Sequence, residues 1–275
     1  MAATALLCLQ LQARTALVVI AHGSPSEDWN RQVLRLENRL NRQDMPGIDY
    51  IRVALMEFAR PDIASVIRDC ERERIDTVFA LPLFISPSGH SEDDIPNILG
   101  LKYNPAIHEE LIEEGIALVR TPMHIIVGPT LMDSGVIEKA MAERVLALSV
   151  DPDREAVIFL AHGDAYRTGF WHRILKHCEE AVRAQGFRYV DYQLVGMGQQ
   201  FAKDVTPLLE RARAERERIL VQGIYLVSNV GAMARLSGMA GGADVVYGGV
   251  GILPESIDDV QEWIVKTVNG WLGAK

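Results

Sequence analysis

The sequence is poor in cysteine, in net positive charge and in long uncharged apolar runs, and each shortage excludes a class of protein. Its three cysteines, Cys8, Cys70 and Cys178, form no CxxC pair, which argues against a disulfide framework or a thiolate zinc site and favours a reducing compartment. The formal net charge of −9 offers no basic surface to nucleic acid. No segment reaches the roughly 20 uncharged apolar residues that a membrane span needs.

Two further absences narrow the possible functions. The apolar start, MAATALLCLQLQ, has no basic residue before Arg14, unlike a secretory signal, so we expect a cytoplasmic protein with no membrane partner. The glycine-rich stretch 248–251 spells neither the dinucleotide nor the P-loop fingerprint, so we expect no nucleotide or organic cofactor. With 275 residues and 48% hydrophobic content, the chain can bury a large core. The sequence leaves the oligomeric state open.

Short β-rich runs alternate with helical patterns, and the second half repeats the order of the first. This alternation predicts two similar α/β domains with parallel sheets flanked by helices, produced by internal duplication. We place these domains at residues 1–150 and 151–275. The predicted strands are Thr15–Ala21, Tyr50–Met56, Thr77–Ile85, Met123–Val127, Ala156–Ala161, Val190–Val195, Ile219–Val227 and Asp244–Tyr247. The predicted helices are Glu27–Arg42, one beginning at Pro61, Gly135–Leu148, Trp171–Ala184, Asp204–Glu217 and Ile257–Trp271.

The tripeptide AHG ends a predicted strand in each half. The first copy contains His22 and the second contains His162. Ligands of open α/β sheets bind at the carboxyl ends of the strands. A domain that faces its own copy would therefore form a cleft with a histidine on each wall.

The two halves differ in the other polar residues that follow their strands. His90, in PLFISPSGHSEDDIP, aligns with Ala232 in the second half. Glu57, in MEFARP, aligns with a glutamine, Gln199 or Gln200. The sequence therefore predicts that the first half carries the chemistry.

His22, Glu57 and His90 each follow a different predicted strand of the first half. Two imidazoles and a carboxylate suit a borderline divalent metal such as Co²⁺, Fe²⁺ or Ni²⁺, and three protein ligands leave coordination positions open. Taken singly, a satisfied histidine at a strand end and a surface glutamate at a turn are the alternatives. For the acidic run after His90, the favoured explanation is a helix cap at Ser91, with Asp94 as the capping-box acid.

Four stretches of the first half resemble the class II tetrapyrrole chelatases, the CbiX/SirB type of sirohydrochlorin cobaltochelatases and ferrochelatases. They are AHGS at the end of the first strand, then MEFARPDI, PLFISPSGHSEDDIP and IIVGPTLMDSG. The resemblance covers most of residues 15–148 and is weaker over residues 155–272. Met56-Glu57 stands where the family usually has leucine and glutamate. The long segment 100–121 also departs from the family pattern and bears on the choice of substrate.

The resemblance implies two α/β domains with the macrocycle in the cleft between them. It implies a chelatase, a lyase that inserts Co²⁺ or Fe²⁺ into sirohydrochlorin or a related tetrapyrrole of cobalamin or siroheme biosynthesis. His22 and His90 would bind this substrate metal, and Glu57 would complete the site and accept a proton. His162 would be either a proton acceptor on the opposite wall or a remnant of the duplication, and we favour the remnant.

The substrate of such an enzyme carries many carboxylates, which need positive partners. Arg60 and Lys102 are the nearest basic residues by motif position. Backbone N–H groups at helix starts, such as those after Ser24 and Ser91, are further candidates. Two alternatives remain open: a non-catalytic metal or tetrapyrrole carrier on the same fold, or a chelatase for nickel or a porphyrin.

Overall fold

The computed structural model describes residues 13–239 and 242–274, so the apolar start with Cys8 lies outside the described residues. The strands are β1 Thr15–Ala21, β2 Tyr50–Leu55, β3 Thr77–Pro82, β4 His124–Val127, β5 Glu155–Ala161, β6 Tyr189–Leu194, β7 Arg218–Gly223 and β8 Val245–Tyr247. They form two parallel sheets in the orders β2-β1-β3-β4 and β6-β5-β7-β8. The prediction of two similar α/β domains is confirmed.

Helices flank both sheets. They are α1 Glu27–Leu40, α2 Ile63–Arg72, α3 Ile95–Ile98, α4 Pro105–Glu113, α5 Val136–Leu148, α6 Thr168–Arg183, α7 Gln199–Glu215, α8 Val230–Leu236, α9 Ile252–Glu255 and α10 Ile257–Gly273. One π-helical turn, His90–Asp94, leads into α3; it is named the His90 turn. Amphipathic patterning accounts for the longer helices: α1, for example, buries Val33, Leu36 and Leu40 at helical spacing.

The central strands β1 and β5 explain the uninterrupted apolar runs of the sequence. All seven residues of each strand are buried, because helices cover both faces of a parallel sheet. In the first sheet Ala21 pairs with Leu55 of β2, and Ile20 pairs with Pro82 of β3. Three strands therefore end side by side, and the residues that follow them meet at one edge.

Several predicted boundaries were wrong. β3 ends at Pro82 and β7 at Gly223, although the apolar runs continue. The chain turns across the sheet end there, and Leu83 and Ile85 are buried in the loop, so apolar sequence persists without strand pairing. α2 begins after Asp62, whose carboxylate accepts a hydrogen bond from Ser65 N at 2.6 Å.

The last helix of each half packs on the other half. α5 lies against α6 and β7 of the second half, whereas α10 lies against α1 and α5. The rings of Phe79 on β3 and Trp271 on α10 stack with their centroids 4.5 Å apart. Arg144 of α5 donates to the carbonyls of Gly251 and Ile252. One apolar core consequently spans both halves, while the division into 1–150 and 151–275 stays a prediction.

The two cysteines within the described residues are buried free thiols. Burial raises the pKa of the Cys70 thiol to about 12 and also raises that of Cys178, so both are neutral packing groups at physiological pH. Among residues 13–239 and 242–274, no helix combines the length and the apolar character that crossing a membrane requires.

Candidate functional site

The ends of β1, β2 and β3 bring His22, Glu57 and His90 together, as the sequence predicts. Nε2 of His22 lies 2.8 Å from Oε1 of Glu57. The rings of His22 and His90 meet edge to face, with centroids 4.7 Å apart. The side chain of Glu57 is only 14% exposed and that of His22 is 35% exposed, so the cluster is shielded but reachable from the cleft.

The glycine of the first AHG motif allows this close approach. Gly23 has φ +94°, and a Cβ atom there would stand 2.1 Å from the carbonyl oxygen of Glu57. The two loops are joined by a hydrogen bond from Glu57 N to His22 O at 2.9 Å. Only glycine fits both the backbone conformation and the contact, which explains why this histidine is followed by glycine.

Both ring nitrogens of His22 face acceptor atoms. Nδ1 lies 2.9 Å from the carbonyl oxygen of Gly23, and Nε2 faces the Glu57 carboxylate. Nε2 of His22 and Oε1 of Glu57 are close enough to share a hydrogen bond, which joins the ends of β1 and β2. Within the described parts of the chain, no three His, Cys, Asp or Glu side chains surround a common metal position. A cation held by both side chains would have to replace this contact between His22 and Glu57.

His90 is oriented by an acid that the sequence interpretation gave another role. Nδ1 of His90 lies 2.7 Å from Oδ2 of Asp94; a carboxylate only accepts, so Nδ1 donates, and in the neutral ring Nε2 keeps its lone pair. This hydrogen bond, opposed by desolvation and supported by the charges of Asp94 and Glu57, raises the pKa of His90. A carboxylate behind a histidine is the usual arrangement at metal-binding imidazoles.

The predicted cap at Ser91 with Asp94 as its capping-box acid was therefore wrong. Ser88 N donates to Ser91 Oγ at 2.9 Å, and Ser91 N donates to Ser88 Oγ at 3.4 Å. The reciprocal hydrogen bonds join Ser88 and Ser91, so the pair begins three residues earlier than predicted. Asp94 takes no part in it and instead binds His90. Ser91 itself is buried.

The other predicted substrate contacts are scattered. The helix after Ser24 is capped by Ser26, and the Ser24 hydroxyl accepts from Ser26 N at 3.1 Å. Arg60 is exposed and pairs with Asp62. Nζ of Lys102 lies 3.7 Å from Oδ1 of Asp93. The structure thus brings the three candidate metal-binding residues together. In the described residues, Ser24, Arg60 and Ser91 form no comparable cluster.

His162 lies across the cleft from the cluster. A cavity of about 360 Å³ is lined by His22, His90 and His162, together with Trp171 and Tyr225. A second cavity, of about 620 Å³, is lined by His90, Asp94 and His162. One histidine of the second half therefore shares a space with both predicted metal-binding histidines.

Two neighbours of the cluster were missed by the sequence interpretation. Phe58 stacks beside His22, with ring centroids 6.0 Å apart, although it has φ +63° and is 63% exposed. Glu114 caps the carboxyl end of α4, in the segment 100–121. Desolvation and then the charges of Glu57, Glu110 and Asp94 raise the pKa of Glu114. The spacing HxxxD was a visible signal for Asp94, whereas Phe58 and Glu114 had none.

This chain is similar to a protein family, to curated proteins and to solved structures. The CbiX family model matches residues 16–148. The sirohydrochlorin cobaltochelatase of Methanococcus maripaludis is 31% identical over 86 residues, 31% of this chain and 58% of that protein. The match thus spans less than two thirds of this curated relative.

Solved structures extend the likeness of fold to both halves. SirB from Bacillus subtilis with Fe³⁺ superimposes with a TM-score of 0.66 at 15% identity, covering 93% of this chain and 94% of that one. The sirohydrochlorin chelatase SirB from Bacillus subtilis subspecies spizizenii in complex with cobalt gives a TM-score of 0.62 at 12% identity, with the same coverage. The match to the CbiX family model covers residues 16–148, just under half of the chain, and these residues hold His22, Glu57 and His90.

Proposed function

We propose that the protein inserts a divalent metal, Co²⁺ or Fe²⁺, into sirohydrochlorin or a closely related tetrapyrrole. The single observation that carries the proposal is the meeting of His22, Glu57 and His90 at the cleft edge of the first sheet. Neutral imidazoles and a carboxylate suit these metals. The similar proteins support the same choice, since the Methanococcus maripaludis relative is a sirohydrochlorin cobaltochelatase and the two SirB structures contain Fe³⁺ and cobalt.

The residues can also account for the protons of the reaction. Insertion of M²⁺ releases the two N–H protons of the macrocycle while the metal leaves its protein ligands. As the metal leaves, the lone pairs of His22 and Glu57 would become free, and this pair, 2.8 Å apart, would accept one of the two protons. His90 recovers Nε2 as a second proton acceptor, with Asp94 holding its other nitrogen. No redox step and no nucleotide are required.

The proposed setting is the cytoplasm, where buried thiols such as Cys70 and Cys178 stay reduced. Cobalamin and siroheme synthesis both need such a reaction, and the choice between cobalt and iron would then depend on metal supply. The partner is the tetrapyrrole itself, held between the two halves.

An optical assay tests the proposal. The full chain is mixed anaerobically with sirohydrochlorin and with Co²⁺, Fe²⁺ or Ni²⁺ in separate samples, and the free-base bands are followed against protein-free controls. Catalytic loss of these bands with Co²⁺ or Fe²⁺ is the expected result. A change that stops at one equivalent of protein would identify a carrier, and no change would overturn the proposal.

Variants connect the activity to the site. His90→Ala and His22→Ala are expected to lower the rate by at least about 100-fold, as loss of a metal ligand or proton acceptor typically does. His124→Ala is the matched control, because His124 is an exposed histidine at the start of β4, outside the cluster. His162→Ala decides between the two roles of that residue: a rate near wild type indicates a remnant, and a slower rate with unchanged metal affinity indicates a proton acceptor.

A further inference from the structure

The loop that follows the second AHG motif contacts the segment that carries His90. Oδ2 of Asp164 accepts a hydrogen bond from Gly89 N at 3.1 Å. Nη2 of Arg167 lies 2.6 Å from Oδ2 of Asp93. Both contacts cross from the second half to the first, and they hold the chain on either side of His90.

The loop that makes these contacts is itself well fixed. Oδ1 of Asp164 accepts from the backbone N–H groups of Tyr166 at 2.8 Å and Arg167 at 3.0 Å. Desolvation opposes the charged carboxylate, but the N–H groups of Gly89 and Tyr166 and the charge of Arg167 outweigh it and lower the pKa of Asp164. One ionised side chain therefore joins the two loops, with each of its oxygens engaged.

The His90 turn needs such support. A π-helical turn is a rare conformation, found mostly as a single turn beside α-helical residues. Its first N–H groups lack partners within the turn, and Asp164 satisfies one of them at Gly89. Asp93 also lies 3.7 Å from Lys102 of the segment 100–121. The turn is thus held from both sides, by the second half and by that segment.

We propose that Asp164 and Arg167 are positioning residues that fix the His90 turn and thereby the direction of the His90 imidazole. The second half then contributes to the metal site without supplying a metal ligand. This proposal gives the repeated AHG motif a structural role. Strand β5 ends opposite the site, and the loop that follows it brings Asp164 within hydrogen-bond distance of Gly89 N. The consequence for turnover rests on the proposed chelatase function, whereas the orientation of His90 does not.

The chain offers a matched control for this proposal. Nη2 of Arg173 on α6 lies 2.7 Å from Oδ2 of Asp133, so this ion pair also crosses between the halves. Within the described residues, neither side chain of this pair hydrogen-bonds to the His90 turn. Arg173→Gln therefore removes a pair between the halves while leaving the His90 turn intact.

The test compares Asp164→Ala, Arg167→Gln, Arg167→Lys and Arg173→Gln in the full chain. Ring ¹⁵N–¹H NMR spectra of the metal-free proteins report the His90 tautomer. At a pH above the pKa of His90, where the ring is neutral, we expect the wild type to show the Nδ1–H form bound to Asp94, and Asp164→Ala and Arg167→Gln to shift towards a mixture of tautomers. Arg167→Lys keeps the charge and should restore much of the wild-type pattern, and Arg173→Gln should match wild type.

Binding of Co²⁺ alone supplies the second readout. Its affinity should fall roughly tenfold in Asp164→Ala and Arg167→Gln, the lower range for residues that orient a metal ligand, and kcat should fall while the KM for the tetrapyrrole is unchanged. His90 spectra and Co²⁺ affinities equal to those of Arg173→Gln would overturn the proposal. If Asp164→Ala does not fold, Arg167→Gln decides. A wild type that inserts no metal would overturn the proposed function alone, because the tautomer measurement needs no turnover.

Discussion

Asp94 lies one helical turn beyond His90 and accepts the Nδ1 hydrogen of its ring at 2.7 Å. The contact joins His90, a candidate metal-binding residue, to an acid four residues away in the chain. It therefore depends on the local geometry of the His90 turn. Because this acid raises the pKa of His90, the proton and the metal compete for the ring over the pH range where the pair titrates.

Asp94→Asn is expected to lower the pKa of His90 towards its ordinary value of 6.5. A folded pKa raised above the unfolded one means that the His90–Asp94 pair stabilises the fold fully below pH 6.5 and loses this contribution as pH rises through the folded pKa. NMR titration of His90 and urea unfolding on both sides of that window measure the two effects. An unchanged His90 pKa in Asp94→Asn would show that Asp94 has no such influence.

Gly23→Ala and Gly163→Ala alter the same position of the two AHG motifs and should differ in cost. Both glycines have positive φ, +94° and +82°, which strains an alanine by roughly 1–2 kcal/mol. At Gly23 the new Cβ also meets the Glu57 carbonyl at 2.1 Å, whereas at Gly163 it meets the mobile end of Leu194 at 2.9 Å. The free energy of unfolding, measured in urea, should fall further in Gly23→Ala; equal losses would contradict this account.

Phe58 has a left-handed backbone conformation that a bulky residue rarely adopts, beside the candidate metal site. Its exposed ring offers a planar surface next to His22, which suits a planar macrocycle. Phe58→Gly should be more stable than Phe58→Ala by about 1 kcal/mol, because only glycine relieves the strain. Both should bind the tetrapyrrole more weakly than wild type. Urea unfolding and binding titrations measure these effects, and wild-type affinity in both variants would exclude a role for the ring.

Much of this architecture could be predicted from the sequence, because buried parallel strands leave a strong pattern. β1 and β5 are apolar at nearly every position, and the residues following them must reach the same sheet edge as their neighbours. For that reason the convergence of His22, Glu57 and His90 followed from topology and needed no side-chain geometry. Their assigned roles in catalysis stay predictions.

Other features depend on three-dimensional packing that no local pattern reports. Helices α5 and α10 each pack on the other half of the chain. The sequence could not predict this, because an amphipathic stripe can cover either sheet face equally well. The sequence predicted ends for β3 and β7 that lie too far along the chain. After β3, for example, Leu83 and Ile85 are buried in the loop although they do not pair with another strand. Asp94 was assigned to a cap because both roles need an acid at that spacing.

The segment 100–121 places a further acid near the cluster, and Glu114→Gln tests what this acid does. The pKa of Glu114 is raised by desolvation and by Glu57, Glu110 and Asp94, whereas His90 lowers it, so its charge is felt by the candidate metal site. A bound dication would be attracted by that charge across a partly screened distance. We expect Glu114→Gln to weaken Co²⁺ binding by roughly two- to fivefold at low salt, and less at high salt.

Glu113→Gln is the matched control, since Glu113 is the exposed neighbour on α4 and is not among the charges that act on His90 or Glu114. Calorimetric titration with Co²⁺ at two ionic strengths separates the effect of charge from a change in ligand geometry. A loss in Glu114→Gln that persists at high salt would mean that Glu114 contacts the metal directly. Equal affinities in the two variants would mean that the segment 100–121 does not attract the metal electrostatically. Its role would then be limited to binding or selecting the macrocycle.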